Sequence, residues 1–317
     1  MEFDEIHSIT PTMATKLRES GVNTVESLAM QSFEELRKTL PGVAEKAIRE
    51  MQHEVWKKMG YWFTPASKLS ELRNDEIVLS TGCQALNDIL MGGIRSRSIS
   101  EFTGAFAAGK TECLLTLLVE CLAKNEAYSA LYFDTEESFK DIRVTEICRT
   151  RGYDATSVLD RTIYVPVWNT DHFMECVKEA DSLVKSRNVK YIAVDSIIAP
   201  LRAEYVGRES LWHRQQLLNK IMRLLLNYAK AFNLVVAVSN QVVANPNVVY
   251  SMDPVQVNAP TGGNILAHGA ETRIYLLRGS QGRHVARIID SSFLPPNQCR
   301  FRITERGIED VQEEEKK

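Results

Sequence analysis

The run Gly104-Ala105-Phe106-Ala107-Ala108-Gly109-Lys110-Thr111 matches G-x-x-x-x-G-K-[ST] in full. Average residue frequencies would produce that pattern in roughly one chain in a hundred of this length. Its setting narrows the reading further. Apolar Ser98–Thr103 reads as a strand before it and Thr111–Lys124 as an amphipathic helix after it, the strand–loop–helix context the motif needs. Gly104 and Gly109 let the backbone fold tightly, so that successive N–H groups and a helix N-terminus face an anion. Lys110 then reaches the β- and γ-phosphates, and the Thr111 hydroxyl can ligate Mg²⁺. An ordinary glycine-bearing turn needs neither. The residues Gly104–Thr111 therefore read as a cradle for ATP with Mg²⁺, with Lys110 also a catalytic candidate.

Such a site needs a metal-side carboxylate at a strand end. Tyr191–Asp195 supplies one, an apolar strand ending in Asp195. A second strand, Ala130–Phe133, runs into Asp134-Thr135-Glu136-Glu137. An acid there could deprotonate a water attacking the γ-phosphate. Spacing alone does not choose between Glu136 and Glu137.

The rest of the chain falls into segments. Residues 1–60 carry helical apolar spacing (Ala14, Leu17; Val25, Leu28; Phe33, Leu36, Leu40) broken at Gly21 and Pro41-Gly42, and a last helix from Glu45 to Met59 ends at Gly60. Residues 61–79 read as a linker opening on the aromatic cluster Tyr61-Trp62-Phe63. Residues 80–311 alternate apolar strands (98–103, 129–134, 162–165, 191–195, 234–239) with helices (111–124, 142–152, 171–187, 210–232). Continuous apolar strands of this kind imply a sheet covered on both faces, mostly parallel, with helical crossovers. Segments 274–277, 285–289 and 301–304 read as an antiparallel extension. Residues 312–317 are a charged tail. The fold expected is α/β with a small all-α N-terminal domain.

Composition sets limits. The 317 residues are 44% hydrophobic and 25% charged, as in a folded domain. No apolar stretch approaches the ~20 residues needed to span a bilayer, and the acidic start MEFDEIHS lacks the cationic and apolar regions of a secretory signal. Six scattered cysteines with no CxxC pair fit a reducing compartment. A net charge of −3 means that any nucleic-acid binding must come from a focused surface.

Several ordered blocks carry a resemblance: STGCQALNDIL (80–90), the phosphate-binding loop, YFDTEESF (132–139), VDSIIAPLRAEYVGRESLWHRQQ (194–216), SNQVVANP (239–246), TGGNILAH (261–268) and IIDSSFLP (288–295). Together they resemble the RecA/RadA recombinases, specifically the archaeal RadA and eukaryotic strand-exchange branch. The resemblance implies a RecA-like ATPase core and a DNA-dependent ATPase that forms a filament or ring on single-stranded DNA. It also implies strand exchange with double-stranded DNA, recombination mediators as partners, and work in an archaeal cytosol or a eukaryotic nucleus. Glu136 is the position matching the family's water-activating glutamate. Gln241 matches a glutamine that reports the γ-phosphate state to a DNA loop. His268 matches a residue near the nucleotide at the protomer boundary, Asp290 and Pro295 the segment capping the adjacent protomer's ATP, and Arg143 a position near the adenine. Two DNA loops are implied, one near 202–214 with Arg202, Arg208 and Arg214, the other near 243–263 ending in the flexible Gly262-Gly263 pair. Phe63 and Ala66 fit the FxxA pattern by which one protomer docks into the next.

Three departures stand out. The loop interior Ala-Phe-Ala-Ala lacks the usual acidic residue. Glu112 replaces the usual glutamine and is expected to set a negative charge near the triphosphate. Ile9–Met13 lacks the glycine of a helix–hairpin–helix, making the first unit a degenerate version of that motif. These departures leave a second reading, an ATP-binding paralog that regulates another recombinase filament.

Overall fold

The computed structural model describes residues 1–207, 209–244, 253–280 and 282–311, the side chains of Ser70 and Leu72 excepted. The expected DNA contact Arg208 and the 312–317 tail lie outside the described residues.

Four helices form the first unit: α1 (Pro11–Glu19), α2 (Val25–Met30), α3 (Phe33–Thr39) and α4 (Glu45–Lys58). Thr10, Thr24 and Ser32 cap the first three, each accepting a hydrogen bond from a backbone N–H three residues on. Their apolar faces close over a core of Leu17, Val25, Leu28, Leu36, Ile48, Met51 and Val55. Ile9–Met13 holds the Thr10 cap and first turn of α1 and has no glycine, whereas Gly42 stands two residues before the Ala44 cap of α4. Gly21 (φ 87°) lies in the turn between α1 and α2, and Gly42 (φ 83°) in the turn between α3 and α4.

The linker is more ordered than its lack of periodicity implied. It holds a 3₁₀ turn (Ala66–Lys68), α5 (Leu69–Leu72) and β1 (Val78–Leu79). After α6 (Gln84–Ile89), β2 (Ile94–Arg95) pairs antiparallel with β1. The main alternation follows: β3 (Ile99–Gly104), α7 (Lys110–Ala123), β4 (Ser129–Asp134), α8 (Asp141–Arg151), α9 (Ala155–Asp160) and β5 (Thr162–Pro166). Next come α10 (Thr170–Ser186), β6 (Val189–Asp195), α11 (Ala199–Glu204), α12 (Leu211–Ala231) and β7 (Val235–Asn240). A small ribbon of β8 (Val242–Ala244) and β9 (Asn258–Pro260) flanks α13 (Pro254–Val257). The chain then runs through α14 (Gly263–Gly269), β10 (Thr272–Arg278), β11 (Arg283–Ser291), β12 (Gln298–Thr304) and β13 (Gly307–Asp310).

Nine strands make one sheet in the order β13-β12-β11-β10-β3-β7-β6-β4-β5, parallel from β10 to β5 and antiparallel from β10 to β13. Alternate residues of the parallel strands point to opposite faces, and both faces are packed. Phe102, Tyr132, Tyr191, Ala237 and Ile274 meet α7 and α8, whereas Leu131, Phe133, Ile192, Val194 and Val238 meet α10 and α12. The helix α7 is buried along most of its length, and its one buried acid, Glu120, is paired with Arg151 (2.7 Å) and Lys124 (2.5 Å). Burial pushes the thiols of Cys83, Cys121 and Cys299 up to about 12, so they remain protonated and inert. Among the described residues no helix is long and apolar enough to cross a membrane.

Candidate active site

Loops leaving the carboxyl ends of parallel strands gather where a ligand can sit outside the sheet. At the end of β3 the backbone approaches β10 so closely that a Cβ on Gly104 would lie 2.5 Å from the Leu276 carbonyl oxygen. Gly109 takes φ 101°, and a Cβ there would meet Ile303 Cδ1 at 2.9 Å. Ala107 holds a left-handed φ of 59°, a conformation that costs a residue with a Cβ roughly 1–2 kcal/mol. Phe106 stands 97% exposed at the tip. Gly109 caps α7 without a side chain, so the first-turn N–H groups carry no side-chain cap. Behind the loop, His284 Nδ1 lies 3.1 Å from the Ala108 carbonyl oxygen and its ring stacks on Phe301. Lys110 Nζ donates to the carbonyls of Gly104 (2.9 Å) and Ala105 (3.0 Å). Burial lowers its pKa, against the opposing pull of Glu136 and Asp195.

Asp195 and Asp134 are register partners on β6 and β4, both buried. Two adjacent buried carboxylates require many donors, and the chain supplies hydroxyls. Asp195 accepts from Thr111 Oγ1 (2.7 Å), Ser138 Oγ (2.8 Å), Tyr132 OH (3.1 Å) and Ser239 Oγ. Burial, reinforced by Asp195, pushes the Tyr132 phenol well up, so it stays a donor. Asp134 accepts from the backbone N–H groups of Glu136 (3.3 Å), Ser138 (3.0 Å) and Phe139 (3.0 Å), fixing the turn that carries Glu136. Thr111 and Asp195 in contact, beside a second carboxylate, form the oxygen-rich donor set a hard divalent cation takes. The glycine-shaped cradle and Lys110 suit phosphate oxygens, so these residues fit ATP with Mg²⁺.

Glu136 Oε1 accepts from Ser196 Oγ (2.7 Å) and from Gln241 Nε2 (2.7 Å). The same Gln241 side chain accepts from Arg202 Nη1 (3.0 Å), and its backbone carbonyl accepts from Thr261 N (2.9 Å). One glutamine thus joins the acid at the end of β4 to an arginine of the first expected DNA loop and to Thr261, just before the glycine pair of the second. Arg214 Nη1 reaches the Tyr205 carbonyl (3.4 Å), and Tyr205 packs edge-on against His213. Gly262-Gly263, expected to be a flexible pair, opens α14. A Cβ on Gly262 would lie 2.5 Å from Leu266 Cδ1, and the φ there is 92°. The second loop is not one long open segment in its described part, but a β8–β9 ribbon with α13, and its Asp253 pairs with Arg287 at 2.9 Å.

Other expected residues stand apart from this constellation. The Glu112 charge is not free against a triphosphate, because Arg143 pairs with it (2.7 Å). His268 ends α14, and Asp290 is level with Arg273 and Glu101 at the amino end of the sheet. Pro295 follows in an exposed turn. Asp290 is thus three strand residues along the sheet from the level of Gly104, roughly 10 Å, and two strands to the side. Asp290 therefore does not reach the cradle of its own chain. Phe63 is 91% exposed and packs edge-on with Trp62, while Tyr61 OH donates to the Lys230 carbonyl (2.8 Å). Ala66 is exposed at the start of the 3₁₀ turn.

A family model described as Rad51 matches residues 72–311, and one described as a SAM-like helix-hairpin-helix tandem matches residues 1–54. The chain belongs to the Rad51 family. The second match covers most of the four-helix first unit. Sequence reasoning missed Tyr132, Ser138, Ser196, Ser239 and His284 as parts of the site. Ser138 and Tyr132 lie in a block quoted for the family, and their hydroxyls beside a run of acids were the available signal. His284 carried none.

Proposed function

We propose that this chain is a DNA-dependent ATPase that assembles on single-stranded DNA and exchanges strands with a homologous duplex. The observation that supports it best is the hydrogen-bonded path Arg202–Gln241–Glu136, which ties a cationic loop to the catalytic acid. Thr111 and Asp195 would hold Mg²⁺, which when bound neutralises charge on the phosphate oxygens. Lys110 exchanges its loop carbonyls for phosphate oxygens. Glu136 accepts a proton from the attacking water, its carboxylate oriented by Ser196 and Gln241. Loss of the γ-phosphate alters what Glu136 and Gln241 touch, and Gln241 passes that change to Arg202 and Thr261.

His268, Asp290 and Pro295 serve the cradle of a neighbouring copy, which accounts for their place at the opposite end of the sheet. Head-to-tail contact of that kind builds a ring or a helical filament. Phe63 and Ala66 act as the docking motif, an exposed aromatic with a small residue three positions on. Phe63→Ala should therefore give smaller assemblies by light scattering. Arg202, Arg208, Arg214 and the Gly262-Gly263 turn contact DNA. The regulatory reading drew on the altered loop interior, on Glu112 and on the missing hairpin glycine, and the pairing of Glu112 with Arg143 weighs for the active recombinase on the second of these. The test is strand exchange by the purified protein beside an Arg208→Ala control, with ATPase followed as single-stranded DNA is added. Both activities should be present and fall in the control, and a protein that exchanges no strands overturns the reading.

A further inference from the structure

The third position of α7, directly after the lysine and threonine of the phosphate-binding loop, carries a carboxylate. A helix N-terminus attracts negative charge, so Glu112 competes there with any phosphate. Arg143 removes it from that competition. The Nε of Arg143 lies 3.0 and 3.1 Å from the two Glu112 oxygens and its Nη2 lies 2.7 Å from Oε2. Its Nη1 bonds Glu146, and Nη2 also donates to the Thr304 carbonyl. Four of the five guanidinium N–H groups are committed along its edge, and both partners of the Glu112 pair are mostly buried.

The anchoring of Arg143 continues into the β12–β13 turn. Thr150 Oγ1 donates to the Glu305 carbonyl (2.9 Å), and Arg151 donates to the carbonyls of Arg306 (2.7 Å) and Ile308 (2.8 Å). On its inner face Ile303 fills the space beside Gly109. The turn thus backs the phosphate loop while fixing the arginine that neutralises the loop's acid.

We propose that Arg143 is a positioning residue that works through Glu112: it holds that carboxylate away from the phosphate cradle, so that the cradle keeps the positive potential a triphosphate needs. This rests on the nucleotide reading given above. Without Arg143, Glu112 stands uncompensated in the first turn of α7, and repulsion at that range should weaken triphosphate binding roughly tenfold. The effect is electrostatic, so it does not require a nucleobase.

The experiment is a double-mutant cycle, Arg143→Ala, Glu112→Gln and both together, on the full chain. Affinity is measured by calorimetry for ATP and for inorganic tripolyphosphate, with thermal melts to confirm folding. Arg143→Gln replaces the alanine if that variant does not fold. The expected result is that Arg143→Ala weakens ATP and tripolyphosphate by similar factors, less so at high salt, and that adding Glu112→Gln restores most of both. Weakening confined to ATP, or no restoration by Glu112→Gln, overturns the proposal and makes Arg143 a direct contact of the base. A wild-type chain that binds neither ligand overturns the nucleotide reading itself, and this proposal with it.

Discussion

The two ends of the central sheet are built differently. At the carboxyl ends of β3, β4, β6 and β7, the cradle, Asp134, Asp195, Glu136 and Gln241 are joined by a dense set of hydroxyl, amide and carboxylate contacts. At the amino ends the chain presents separate, exposed pieces: the Tyr61–Phe63 cluster beside Lys230, and the Asp290–Pro295 turn, where Arg95 lies over the Phe293 ring. One end gathers, within a single copy, a cradle and carboxylates that fit phosphate and a divalent cation. The other holds Asp290, which does not reach the cradle of its own chain, and the exposed Phe63. The contrast is what the proposed joint between copies would need, the finished end of one meeting the unfinished end of the next.

Substitutions at the finished end should have the largest effect. Glu136→Gln should lower ATP turnover by about 10²–10⁴-fold while nucleotide still binds, read by steady-state hydrolysis beside calorimetry. A small loss would move the base elsewhere. A sharper break of the comparison mixes two inactive chains, Lys110→Ala and Asp290→Ala. If sites form between copies, an equal mixture regains about a quarter of the wild-type hydrolysis, because one joint in four pairs an intact cradle with an intact cap. No recovery would place both residues in one chain's site.

Much of the finished end was legible in the sequence. Its glycines, lysine, threonine and strand-end acids are residue types that the chemistry demands at fixed spacing, and the strands that carry them are continuous apolar runs. The hydroxyls of Tyr132, Ser138 and Ser239 were not, since serine and tyrosine are common everywhere and only the fold brings them to Asp195. The Glu112–Arg143 pair joins residues 31 apart on two helices, and no periodicity signals it. Likewise the short β13 and the linker turn depend on contacts with distant segments rather than on local pattern.

Smaller effects sharpen the link to DNA. Arg202→Ala should weaken oligonucleotide binding evenly across sequences and reduce its salt slope by about 1, measured by anisotropy over a salt series. An unchanged slope would assign Arg202 to Gln241 alone. The smallest effect concerns His284 behind the phosphate loop. Burial holds its pKa below the usual 6.5, so the unfolded chain takes up the proton first and stability falls as pH drops below that value. Melting temperatures between pH 7.5 and 5.5 should decline less in His284→Gln than in the wild type. Equal declines would remove His284 from this account.

The most direct measurement is the affinity of a labelled single-stranded oligonucleotide with a non-hydrolysable ATP analogue and with ADP, in the wild type and in Gln241→Ala. The account predicts tight, salt-sensitive binding with the analogue, much weaker binding with ADP, and a narrowed gap once Gln241 is gone. Equal affinity in both nucleotide states would contradict it.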